Sequence, residues 1–269
     1  MIQDIKRLGV VLSGGGAKGA YEVGVFRVLA SCGLTDRICA ISGCSIGAYN
    51  ELLYTMRGIG AVKKFLYDFP ALMAPRGDEG KLLSGKKALY SSEGIAAYLR
   101  EALAGEKRIK PLPRLYACAY SVPNGRPEYF LLNSCTAEEA VNICVASGSL
   151  PDCFAPAVIG GMPYTDGGVV PAQCADGEPA DKIPLAPLLR EDLDCILTVF
   201  LNAEDTIDFS GVPSSCRYYE LRPSEPLEET PHSGTLDFSP AKLEHHEILG
   251  SADMRGLLEK IGYRPESAS

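Results

Sequence analysis

Two glycine-rich turns, at residues 13–16 and 42–47, constrain this chain more than any other feature. Each follows a short continuous apolar run and precedes a stretch with helical spacing. Leu8-Gly9-Val10-Val11-Leu12 is the first run and Ile38 to Ile41 the second. Unbroken runs of that length fit strands covered on both faces. After the first turn, Ala20, Val23, Val25, Phe26, Val28 and Leu29 recur at helical spacing up to a stop at Cys32-Gly33. After the second, a helix is expected from Ala48 to about Met56. Strand, turn, helix, strand, turn, helix is the βαβ grammar of a parallel sheet. The expected fold class is therefore α/β.

The rest of the chain extends that pattern. Residues 59–104 read as helical segments broken by a loop near Pro70 to Ser84. Leu115 to Val122 and Glu128 to Leu132 read as strands joined through Pro123-Asn124-Gly125. Thr136 to Ala146 reads as a helix, with Thr136 as N-cap and Glu139 at the capping-box position. Val158 to Tyr164 reads as a hairpin turning at Gly160-Gly161, and Leu193 to Leu201 as a strand. Residues 202–235 are rich in Pro, Ser and Glu and read as surface loop, with one strand near Tyr218-Leu221. Ser239-Pro240 opens a last helix to about Ile261. Nothing marks an internal boundary, so one domain over 1–269 is expected, its core about 8–262.

Composition excludes several function classes. The net charge is −8 and no Lys/Arg run is long enough to track phosphates, so nucleic acid is not an expected partner. Ten cysteines occur without a CxxC or CxxH pair, and they read as small, reduced, buried thiols rather than metal ligands. No metal or other cofactor is expected. The start lacks a basic region followed by an apolar one, and no apolar run approaches the ~18 residues of a membrane span. The expected location is the cytoplasm.

Three motifs carry chemistry. Gly14-Gly15-Gly16-Ala17-Lys18-Gly19 satisfies the dinucleotide pattern G-x-G-x-x-G, but the second strand does not end in the acid that would hold a ribose. Glycine backbone at a helix start also presents N–H groups to an anion, and a transient oxyanion serves as well as a phosphate. Gly43-Cys44-Ser45-Ile46-Gly47 is G-x-S-x-G at a strand–helix junction, the pattern that exposes a serine on a tight turn. Neighbouring parallel strands end on one sheet edge, which brings Gly14, Gly15 and Gly16 near Ser45 as a candidate oxyanion hole. Asp166-Gly167-Gly168 alone is a plain turn; beside an exposed serine it supplies a carboxylate base. A conventional Ser-His-Asp triad esterase needs His232, His245 or His246. His245 and His246 lie on a charged helix and read as solvated surface, and His232 reads as a loop residue. A dinucleotide-binding oxidoreductase would use the Gly14–Gly19 loop but leaves Ser45 and Asp166 unexplained.

These residues resemble the patatin-like phospholipases, the bacterial branch in particular. The resemblance is carried by residues 12–21, by Ile41 to Ala48 and by Asp166-Gly167-Gly168, with Ala146 to Pro151 and Gly234 to Phe238 in support. It implies a three-layer α/β/α fold around a largely parallel sheet. It implies a lipid acyl hydrolase with a Ser45–Asp166 dyad, no histidine, and an oxyanion hole of Gly14, Gly15 and Gly16 amides. The implied substrates are esters of phospholipids, lysophospholipids or neutral lipids, met in solution or at a membrane surface, with no metal in the chemistry. Two residues depart from the family's usual pattern: Cys44 and Ile46 fill the positions around Ser45, and Ile46 there would narrow the acyl entrance. The tight turn exposes only its central side chain, so Cys44 is not the nucleophile. Lys18 has two readings, a contact for an anionic head group or solvation of the first turn. The apolar, proline-broken stretch 66–84 reads either as an acyl-facing lid or as ordinary connection.

Overall fold

The computed structural model describes residues 5–73, 77, 80–228 and 233–263. The expected alternation is present. Strand β1 (Leu8–Leu12) leads through a 3-10 turn (Gly16–Gly19) into α1 (Ala20–Ser31), and β2 (Ile38–Cys44) leads into α2 (Ile46–Arg57). Helices α3 (Ile59–Leu72) and α4 (Glu93–Ala102) follow, then the hairpin β3 (Arg114–Ser121) and β4 (Arg126–Leu131). Helix α5 (Ala137–Ser147) carries the capping box its sequence announces: Glu139 N–H donates to Thr136 Oγ1 at 3.2 Å, and Thr136 N–H donates to Glu139 Oε2 at 2.8 Å. Strands β5 (Ala157–Ile159) and β6 (Met162–Asp166) turn at Gly160 and Gly161, both with positive φ, as a two-residue hairpin loop requires. Strands β7 (Cys195–Val199) and β8 (Arg217–Leu221), the short α6 (Ser233–Leu236) and the long α7 (Pro240–Lys260) complete the chain.

Several boundaries shift by one or two residues from the sequence reading, and two differences bear on the site. β2 runs on through Ser42-Gly43-Cys44, and α2 starts at Ile46, so the junction is a single residue, Ser45. The chain also stays helical through Pro70, and α3 ends two residues later at Leu72. A proline that close to a helix end removes one late hydrogen bond rather than breaking the helix.

Among the described residues eight strands form one sheet, in the order β5-β6-β3-β2-β1-β7-β8, with β4 on the remaining edge of β3. The pairs β1–β2, β1–β7, β2–β3 and β7–β8 are parallel; the hairpin strands add antiparallel pairs. β2 and β6 share one edge of β3, end to end. Cys44 of β2 lies opposite Cys118, and Asp166 of β6 lies opposite the next residue, Ala119.

Side chains alternate between two apolar layers, as pleating demands. Leu8, Val10 and Leu12 of β1 face the helices, whereas Val11 faces Ile183, Leu185, Leu188 and Leu193. The second face is thus covered by a short 3-10 segment (Ala186–Arg190) and its flanks, a thinner layer than the helical one. Burial of one such Val or Leu contributes about 1.5–3 kcal/mol.

Two carboxyl groups interrupt the helical layer. Glu22 on α1 and Glu51 on α2 are fully buried, and one oxygen of Glu22 and both of Glu51 have no partner. Burial pushes Glu22 up to about 8, against the hydrogen bond it accepts from Asn50, and pushes Glu51 up as well. The fold therefore holds protons there that the unfolded chain releases near pH 4.5. Stability from Glu22 is fully present below that pH and declines as pH rises through about 8, by up to about 1.4 kcal/mol per pH unit. Urea unfolding at pH 5, 7 and 8.5 should show a shallower decline in Glu22→Gln, with the variant the more stable protein at pH 8.5. Parallel pH curves for the two proteins would contradict this.

Candidate active site

Ser45 stands alone at the end of β2 with φ 55° and ψ −119°, the one non-glycine residue of positive φ among the described residues. Such a conformation costs of order 1–3 kcal/mol and persists only where surroundings impose it. Here the crowding is visible. A Cβ on Gly43 would fall 2.5 Å from the Gly47 carbonyl carbon, and one on Gly47 would fall 2.7 Å from Leu12 O. The strand and helix are pressed together, and the serine between them is turned outward into a cavity. Its amide donates to Ser147 Oγ at 2.8 Å, and Ser147 Oγ donates to Cys118 O at 2.5 Å, which fixes the turn to α5 and β3.

Asp166 arrives from the other direction along β3. It is 4% exposed, and the Ser45 hydroxyl beside it favours its ionised form. Asp166 Oδ1 accepts the Gly168 amide at 2.8 Å, and the Asp166 amide donates to Ser149 O at 2.9 Å. Burial raises its pKa to about 6; the Ser45 hydroxyl, the Gly168 amide and the nearby Lys182 ammonium pull the other way. A carboxylate poised there is mostly ionised at neutral pH yet basic enough to accept a proton.

The glycine turn reaches the same place: a Cβ on Gly14 would stand 3.4 Å from Ser45 Cβ. The three glycines are not equivalent, however. The Gly14 amide donates to Lys182 O at 3.0 Å and is spent. Among the described residues the amides of Gly15 and Gly16 have no acceptor, and both residues line the cavity. Of the three amides expected to form an oxyanion hole, those of Gly15 and Gly16 are the two left without an acceptor among the described residues.

The cavity measures about 550 Å³ and has an apolar and a polar end. Ile46, Tyr49, Phe69, Met73, Leu150 and Phe154 wall the apolar end. Phe238 closes it by stacking on Phe69 at 4.5 Å. From the stretch 66–84, Phe69 of α3 and Met73 just after it line the cavity, and residues 74–76, 78 and 79 lie outside the described residues. Ile46, beside Ser45, is among the lining residues. At the polar end, Lys18 is 2% exposed, donates to Asn202 Oδ1 at 2.6 Å and pairs with Glu228 at 3.3 Å. Lys18 therefore does not solvate the first turn; burial lowers its pKa.

Neither described histidine shares the cavity with Ser45. His245 is half exposed, as its charged helix suggests, but His246 is not solvated surface: it is 1% exposed, packed in the interior with its pKa lowered by burial. The charged pattern of residues 242–247 hides three inward positions, Leu243, His246 and Glu247. Neither lines the cavity, and His232 lies outside the described residues. Cys44 is fully buried, its Sγ 4.0 Å from Asp166 Oδ1, and burial raises its pKa, which makes it an inert thiol. Among the described residues no group of three or more His, Cys, Asp or Glu is arranged to hold a metal ion. Ser147, Lys182, Asn202 and Asp205 were not legible as site residues; a lysine or asparagine in a Pro/Asp/Gly-rich loop carries no pattern of its own.

Residues 10–175 match the family model of the patatin-like phospholipases. The chain belongs to that family. Similar solved structures include VipD from Legionella pneumophila, at 14% identity and TM-score 0.45, covering 96% of this chain and 68% of that one. The type III effector ExoU is 16% identical with TM-score 0.49 over 96% of this chain and 53% of its own. ExoU also appears in a complex with SpcU from Pseudomonas aeruginosa. Human GIVD cytosolic phospholipase A2 is 11% identical with TM-score 0.46, over 96% and 58%. The chain thus spans little more than half the length of ExoU and of the human enzyme. No curated protein sequence matches it. Among the described residues no helix of this patatin-like protein is long and apolar enough to cross a membrane.

The strain at Ser45 has a measurable consequence. Glycine adopts positive φ freely, so Ser45→Gly should unfold at higher denaturant concentration than wild type, by about 0.4–1 kcal/mol. An equal or lower midpoint would show that the turn is not strained.

Proposed function

We propose that this patatin-like protein is a lipid acyl hydrolase acting through Ser45 and Asp166. The observation that carries the reading is that the buried Asp166 carboxyl and the outward-turned Ser45 line one largely apolar cavity together with the free Gly15 and Gly16 amides. The substrate would be a carboxylic ester of a phospholipid, lysophospholipid or neutral lipid. Its acyl chain would lie against Phe69, Met73 and Phe154, each buried CH₂ contributing about 0.8 kcal/mol.

In this mechanism Ser45 Oγ attacks the ester carbonyl and its proton passes to Asp166. The carbonyl oxygen becomes an oxyanion facing the Gly15 and Gly16 amides, whose removal would cost about 10²–10³ in rate each. Collapse of the tetrahedral intermediate breaks the ester bond, and Asp166 returns the proton to the departing alcohol. Water then attacks the acyl-serine, giving a proton to Asp166, and the fatty acid leaves as Ser45 recovers its hydrogen. No imidazole takes part.

Hydrolysis of monoacyl and diacyl lipids with free fatty acid as the readout tests this reading. Asp166→Asn should lower turnover by about 10²–10⁴-fold, and Ser45→Ala at least as much. The base must be ionised, so kcat/KM should fall tenfold per pH unit below about 6 and level off above it. That limb should survive replacement of His245. Retained activity in Ser45→Ala, or a limb that disappears with a histidine, would overturn the proposal.

A further inference from the structure

The mechanism leaves Lys182 without a role, although the structure ties it to every part of the site. The segment 181–183 straps the two catalytic turns together. Asp181 N–H donates to Gly167 O at 2.9 Å, and Gly14 N–H donates to Lys182 O at 3.0 Å. Ile183 N–H returns to Asp181 Oδ1 at 3.2 Å, and Tyr129 OH donates to Asp181 Oδ2 at 2.5 Å, so the strap is itself anchored. Lys182 lies close against both turns. A Cβ on Gly168 would meet Lys182 Cα at 3.3 Å, and one on Gly14 would meet Lys182 Cγ at 3.5 Å. The side chain lines the cavity with Ser45 and Asp166, and its ammonium pairs with Asp205 Oδ2 at 2.8 Å.

We propose that Lys182 is a positioning residue whose ammonium, set in place by this strap, holds Asp166 as the proton-accepting carboxylate. The inference rests on the dyad reading above. The groups around Asp166 are few. Ser45 and Cys44 face it from the β2–α2 junction, Cys118 from β3, Tyr49 from α2 and the Gly168 amide from its own turn. None of these is a cation; Lys182 is the one whose charge favours the ionised form. Lys182 is in turn faced by Asp205, which tempers its field, and by Lys18, which is held by Glu228 and Asn202. Asp205 also accepts from Asn202 Nδ2 at 3.3 Å, so the carboxylate is fixed from two sides. The two members of the pair therefore act on Asp166 with opposite signs. Removing Lys182 favours the protonated acid; removing the charge of Asp205 leaves Lys182 uncompensated and favours the carboxylate further.

The experiment follows kcat/KM for a soluble p-nitrophenyl acyl ester from pH 4.5 to 8.5 in wild type, Lys182→Met, Lys182→Arg and Asp205→Asn. Fluorophosphonate labelling of each protein reports an intact Ser45 site. Lys182→Met should lose about three- to tenfold at pH 5.5 while keeping its alkaline plateau, its acid limb displaced to higher pH. Lys182→Arg should restore the limb, and Asp205→Asn should displace it to lower pH. A role in shape alone would lower the rate equally at every pH, and that result overturns the proposal. So does a limb that stays in place in both charge variants of labelled enzyme. If Lys182→Met takes no label, Asp205→Asn and Lys182→Arg decide by the same criteria. A wild type that takes no label defeats the dyad reading first and this inference with it.

Discussion

Every feature of the site depends on how β3 is shared. Its one edge carries β2 as far as Cys44 and then β6 from Asp166, so the two strands meet head to head with adjacent partners on β3. Backbone hydrogen bonding thereby sets the separation of Ser45 and Asp166 to within a residue. A register slip in either strand would move a side chain to the other face of the sheet. The strained turn at Ser45 and the bond its amide donates to Ser147 then decide only the direction in which the serine points.

Placing a carboxyl at a buried sheet edge has an electrostatic cost that the surroundings only partly offset. Desolvation drives Asp166 toward its neutral form, and three features oppose it: the Ser45 hydroxyl, the Gly168 amide and the Lys182 ammonium. Their balance leaves the group near neutrality, where a carboxylate can act as a base without an imidazole beside it. The same low-polarity setting keeps Cys44 protonated and silent although it sits next to Ser45. The two lysines that line the cavity are each paired, Lys18 with Glu228 and Lys182 with Asp205.

Much of this was legible in the sequence because the chemistry is local there. The glycines around Ser45 announce a crowded strand–helix junction, Thr136 and Glu139 announce a capped helix, and Gly160-Gly161 announces a hairpin that ends in Asp166. What escaped was set by contacts distant in sequence. His246 sits in a charged stretch yet faces inward, because the packing of α7 rather than the composition of its segment decides burial. The Gly14 amide is consumed by a carbonyl 168 residues away, in a loop whose sequence has no periodicity. Lys18 looked like a solvated turn residue or a head-group contact, and only its bonds to Asn202 and Glu228 remove the first of these. The thin cover on the second face of the sheet was likewise invisible, since a 3-10 segment has no apolar period long enough to detect.

The central claim is that Ser45 is activated by Asp166 alone. Intact-mass analysis after exposure to a fluorophosphonate tests it most directly, because the probe requires an activated serine and an oxyanion hole but no particular lipid. Wild type, Ser45→Ala, Asp166→Asn and a variant with all three histidines replaced by glutamine would be compared. The account predicts one adduct on wild type and on the histidine-free protein, and none on Ser45→Ala or Asp166→Asn. An adduct that vanishes with the histidines, or that persists without Ser45, would contradict it.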